Sequence, residues 1–253
     1  PAALFVAAST VLATAGEAQF VIDVDAVLSE PMPLVPAALG EFSHPISSTV
    51  PAAQAYFDQG FQIMYAFGKP EAIRSFREAW RRDPDCAICY WGEAWSWGSY
   101  LNGAMTTDEA PHAYAAMQKA LELRDRASPQ EQAYIDALAV RYVADYDVEA
   151  RRAQDLEYAV AMQKLKESYP DDLDAATLYA DALFLLEERR GYRDIEAPRI
   201  RNIRELLEGI LERDIRHIGA CHLYIQLTEA TLQPELAEPC AAHLGTAVPG
   251  ASH

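Results

Sequence analysis

Positive charge is scarce in this sequence beside negative charge. Lys and Arg number 21 against 38 Asp and Glu, a formal net charge of −17. Phosphate backbones are held by Lys and Arg, so the balance argues against nucleic acid as a partner. The acidity reads as solubility, with a basic partner as the alternative. No membrane span is expected either: the apolar segment Leu4–Ala15 is too short to cross a bilayer as a helix. Also missing are a Gly-rich phosphate loop and a nucleophile–base pairing. The Cys86–Cys89 pair is a C-x-x-C, but Tyr90 follows it, so the haem-attachment signal is absent, and no second pair completes a zinc site.

Cysteines are few: Cys86, Cys89, Cys221 and Cys240. Cys86 stands at the start of a helix, where a thiol is acidified, which makes Cys86 and Cys89 candidates for redox chemistry. The plainer expectation packs both as small apolar residues. A disulfide among the four fits an exported chain.

What the chain has in quantity is helical patterning, with 51% of its residues hydrophobic. Its organising stretch is Ala53 to Cys86, which reads as a helical hairpin. Gly60, Ala72, Phe76, Ala79 and Pro84 stand at offsets of 0, 12, 16, 19 and 24. Small residues let two helices approach, the aromatic fills the groove between hairpins, and Pro stops the second helix. That spacing resembles the tetratricopeptide repeat.

Before the hairpin, residues 1–50 form an arm. Residues 1–18 look like a secretory signal, although no basic residue precedes the apolar part; the alternative is an ordered arm packed on a neighbour. Phe20 to Val27 alternates apolar and acidic residues, as a short edge strand would. Recurring prolines from Pro31 to Pro51 predict an extended tether. From residue 51 to 253 four further hairpins follow: Ala87 to Leu123 with a long loop over Ser99–Asp108, Pro129 to Pro170, Leu173 to Ile210, and Ala220 to Pro249. The expected fold is all-α, a right-handed solenoid of about five hairpins behind an extended arm.

The region from His44 to His253 resembles a bacterial class of tetratricopeptide-repeat proteins. The resemblance is carried by Tyr56-Phe57-Asp58-Gln59-Gly60, Glu71-Ala72-Ile73-Arg74-Ser75-Phe76, Asp83-Pro84-Asp85-Cys86-Ala87 with Tyr90-Trp91-Gly92, Tyr169-Pro170-Asp171-Asp172, and His217 to Glu229. It implies an exported (periplasmic or extracellular) protein that binds partners, and carries over no activity. The chain departs from the pattern at Lys69-Pro70 and at Gln226, where histidines are expected.

Three functions are open on these residues. The leading one is a non-enzymatic scaffold that binds another protein in a groove, with Tyr56, Trp91, Trp95, Trp97 and Tyr100 as anchors; packing in the core is the competing reading of these rings. The second is self-assembly, even into filaments, through the arm and the C-terminal end. The third is metal or redox binding, with His217, His222, Glu229 and His253 as ligands and Cys86 with Cys89 as the redox pair; otherwise no cofactor is expected. Against it, His222 reads equally well as a hydrogen-bonded structural histidine. Arg74, Arg77 and Arg81 are expected on a solvent face, and Asp171, Asp172 and Asp174 as helix-capping charges.

Overall fold

The computed structural model describes residues 28–35, 40–188 and 193–247. The signal-like segment, the expected strand and His253 lie outside these residues. Ten α-helices and two 3₁₀ turns occur among them, with no strand beyond one bridge, Tyr100 to Gly103, in the second hairpin's loop. In chain order the helices are α1 (Pro51–Tyr65), α2 (Lys69–Arg82), α3 (Ala87–Trp97), α4 (Ala110–Glu122), α5 (Pro129–Ala139), α6 (Arg152–Ser168), α7 (Leu173–Phe184), α8 (Pro198–Arg213), α9 (Ile218–Thr228) and α10 (Glu238–Ala247). No helix among the described residues is long and apolar enough to cross a membrane.

Local chemistry explains where helices begin. Proline occupies the first turn of α1, α2, α4, α5 and α8, where its missing N–H costs nothing. Three starts, α5 again among them, are capped by side chains. Ser128 and Glu131 form a reciprocal capping box on α5, the Asp172 carboxylate accepts from the Ala175 N–H on α7, and the His217 ring accepts from the Ala220 N–H on α9.

Each helix packs on the next, giving five successive antiparallel pairs. Within the first pair Gly60 does what its spacing predicts: a Cβ there would stand 3.0 Å from the Phe76 ring. Gly92 on α3 presses the other side of the same ring, so Phe76 is clamped between two glycines. Ala72 and Ala79 are fully buried beside it.

Contacts also run beyond neighbouring pairs, because α9 packs on α1. Gly219 lies directly on the Tyr65 ring, with no room for a Cβ. An open solenoid has each repeat touching only its neighbours; here the fifth pair meets the first. The odd-numbered helices α1, α3, α5, α7 and α9 therefore surround one filled interior rather than an open concave wall.

That closure moves the aromatic anchors inside. Trp91, Trp95, Trp97 and Tyr56 are all buried. Trp91 stacks on Trp95 at 5.5 Å and meets Tyr134 edge-on at 5.4 Å, while Phe61 lies 5.0 Å from Trp95. Tyr100 is half-buried against Phe67. The four buried rings are core, not a surface for a partner.

Other expectations are corrected too. The face of Arg74 and Arg77 is covered: Arg74 donates to the carbonyls of Glu30 and Pro31, and Arg77 to Leu28 and to Glu93. The described part of the arm thus packs on its own chain. No cysteine is free. Cys86 is bonded to Cys89 and Cys221 to Cys240, the latter tying α9 to α10.

The clamp on Phe76 is open to test. Gly92→Ala drives a methyl into a ring backed by Gly60, and overpacking of this kind costs about 1–3 kcal/mol. Denaturant unfolding should show that loss, and combining the change with Phe76→Leu should recover part of it.

Candidate functional site

A polar corner forms where the starts of α5, α7 and α9 come together beneath the arm. Residues 40–48 lie across these helices as a strap. The Ser43 hydroxyl and the His44 N–H donate to Asp58, the Ile46 N–H to Gln54, and the Ser47 N–H to Glu131. Gln54 returns a bond to the His44 carbonyl. Pro45 disfavours a helix in this segment, and side chains of α1 and α5 satisfy backbone groups a helix would have paired.

The strap delivers His44 into the interior. Its ring stacks on Phe61 at 5.1 Å and meets Tyr134 edge-on. Nδ1 lies 2.6 Å from Oδ2 of Asp174. The same carboxylate takes the Tyr65 hydroxyl on Oδ1 at 2.6 Å and faces His217 Nε2 at 3.3 Å. Because His217 Nδ1 accepts the Ala220 amide proton, the ring carries its own proton on Nε2 and turns it toward Asp174. Asp172, two residues earlier, accepts from the Ala175 N–H on Oδ1, and from Tyr134 and Gln130 on Oδ2 at 2.7 Å each.

Electrostatics follow from burial and these bonds. Burial alone would push the Asp174 carboxyl up, but the hydrogen bonds from His217 and His44 outweigh it and hold the group well below the usual carboxylate range. For His44, burial pulls down while its hydrogen bond to Asp174 and the charges of Asp174, Asp172 and Asp58 push up; the net shift is upward. Tyr65 and Tyr134 are driven well above the normal phenol range, first by burial and then by the aspartates beside them. They stay protonated and act as donors.

A cleft of about 980 Å³ opens over this cluster. Its wall includes Glu41, His44, Asp171, Asp172, Asp174, Asp214, Arg216, His217 and His243. The His44 side chain is 10% exposed, and its second nitrogen, Nε2, has no hydrogen-bond partner among the described residues. The arrangement can hold a cation and can pass a proton at His44.

The residues singled out from sequence are dispersed differently. His217 joins the cluster. His222 instead sets Nδ1 2.6 Å from the Tyr65 carbonyl, with its ring against Phe67. Glu229 follows the last turn of α9, where its charge acts on Arg193. Among the described residues, the group close enough to share an ion is His44 with Asp172 and Asp174, not His217 with His222 and Glu229. Cys86 and Cys89 sit at the start of α3, bonded to each other. Sequence reading missed His44, because a lone histidine in a proline-rich tether carries no spacing signal. Asp172 and Asp174 were read as capping charges, which Asp172 is, and no local pattern marks Asp174 as a buried partner of residues far away in the chain.

Fold and site define an all-helical protein with an acidic, histidine-bearing cleft at one end. No family model, no curated protein and no solved structure matches the chain.

The His44–Asp174 pair sets a pH dependence. His44 has a folded value raised above 6.5, so its contribution is complete below that pH and fades as pH rises through the folded value. Asp174 has a folded value lowered from 3.8, so its contribution is complete above that pH and fades in stronger acid. His44→Gln should cost about 3 kcal/mol near pH 5, where both groups are charged, and less at alkaline pH. Urea unfolding of both proteins across the pH range reads the difference directly.

Proposed function

We propose that the chain is a non-enzymatic interaction module, built of tetratricopeptide-like hairpins and exported, that receives a positively charged segment of a partner protein in the cleft. The observation that carries this reading is the makeup of the wall. Glu41, Asp171, Asp172, Asp174 and Asp214 face the cleft, and Arg216 is the one Lys or Arg among its lining residues. Arg216 is itself paired with Asp214. Complementary charge in a concave wall steers and orients a cationic ligand. Hairpin arrays present ligands to surfaces between packed helices; with the interior of this one filled, the cleft at its end takes that place. Two disulfides suit an oxidising compartment, which supports export.

The test is fluorescence anisotropy with a labelled Lys- and Arg-rich peptide and with an acidic one of equal length. The basic peptide should bind, more weakly as salt is raised. The Asp171 side chain is fully exposed, so the double change Glu41→Gln, Asp171→Asn leaves the core alone. It should weaken binding about fivefold. Equal binding of both peptides, or none at low salt, would overturn the reading.

A further inference from the structure

The wall of the cleft holds a donor set of its own, at His44, Asp172 and Asp174. His44, Asp172 and Asp174 each present one ligand atom, all within 4.8 Å of one another. Their remaining capacity can be counted. A carboxylate has about four acceptor sites. Asp174 meets His44, Tyr65 and His217, and Asp172 meets Ala175, Tyr134 and Gln130, which leaves each with one site. His44 is nine-tenths buried in the floor of the cleft and turns Nδ1 to Asp174, 2.6 Å away.

We propose that this corner binds one divalent transition-metal ion, ligated by His44, Asp172 and Asp174, with its open positions turned to the cleft. The ion takes the place of the proton that His44 Nδ1 shares with Asp174. That proton leaves to solvent, and the imidazole keeps its remaining proton on Nε2, which water in the cleft can accept. Nδ1 and Oδ2 stand 2.6 Å apart and would open to roughly 3 Å, the separation of two ligands on an ion at ~2.1 Å. The outer shell is in place already. Tyr65, Tyr134, Gln130 and the Ala175 N–H fix the two carboxylates, as partners of metal ligands do. His217 does not ligate, since its Nδ1 is committed to the Ala220 N–H and its Nε2 bears the proton; it is a positioning residue for Asp174.

One imidazole with two carboxylates suits Zn²⁺ or Mn²⁺ and supplies too few oxygens for Ca²⁺. Three protein ligands with open positions is the pattern of a site that exchanges water or ligand, not of a closed structural one. No free thiol competes for the ion. The ion and the peptide share Asp172 and Asp174 and are told apart at the rim, where Glu41 and Asp171 take no part in holding the ion.

The experiment uses the whole chain stripped with EDTA and then given Zn²⁺ alone, followed by calorimetry and by metal analysis after desalting. One Zn²⁺ per chain should be retained with micromolar or tighter affinity. His44→Gln and Asp172→Asn should each weaken it at least about tenfold, and Asn keeps the cap on α7. His222→Ala should leave it unchanged, and the Glu41→Gln, Asp171→Asn protein, which binds the basic peptide less well, should still retain the ion. Co²⁺ added to the wild-type chain provides a readout that needs no variant: visible absorption of a His- and carboxylate-bound ion supports the site. Failure to retain Zn²⁺, retention undiminished in folded His44→Gln, or the spectrum of hydrated Co²⁺ would each overturn it.

Discussion

One buried carboxylate holds the two ends of this array together. Asp174 lies in the first turn of α7 and meets His44 from the strap, Tyr65 from the last turn of α1 and His217 from the start of α9. An ionised carboxylate taken out of water is costly unless its oxygens are met by donors. Here the donors come from positions far apart in the sequence. Opening the gap between the fifth pair and the first would strip donors from a group that stays buried, and such a loss costs more than the pair gains by forming. The curl of the array is thus fixed by a polar interaction, and the apolar packing of Gly219 on Tyr65 completes it.

Closure decides what the rest of the surface can do. Trp91, Trp95 and Tyr134 fill the space that an open solenoid leaves for a ligand, so the acidic cleft lies outside that interior, at the end of the bundle. There the starts of α5, α7 and α9 converge. Helix starts carry partial positive charge and favour carboxylates nearby. Glu131, Asp172 and Asp174 occupy such positions. Much of the acidity of the corner therefore has a local cause in helix chemistry, and the rim residues Glu41, Asp171 and Asp214 add to it.

Much of the helical pattern was legible beforehand because it is local. Gly60 against Phe76, Ala72 and Ala79 on a buried stripe, and Asp172 as a cap all follow from spacing of a few residues up to one hairpin. What was not legible depends on which distant segments meet. The choice between core and binding wall for Trp91 and Trp95 turns on α9 reaching α1, and no periodicity encodes that contact. The pairing of Cys221 with Cys240 likewise needs α10 folded back on α9. His44 was hidden for a different reason: proline spacing identifies an extended segment correctly and says nothing about where it lies down.

The residues of the site are also residues of capping. Glu131 closes the box on α5 with one oxygen and receives the Ser47 N–H with the other. Asp172 caps α7 and anchors Tyr134, and His217 caps α9 while facing Asp174. A capping side chain has its rotamer set by the backbone it serves, so its second polar atom points in a defined direction at no further entropic cost. Three such residues, brought together by three helix starts, give a rigid polar floor without any loop having to be ordered for it. The same double use explains why sequence alone undervalues them: Ser, Asp or His before a helix is fully accounted for by the cap, and the second bond appears only when the chain has closed on itself.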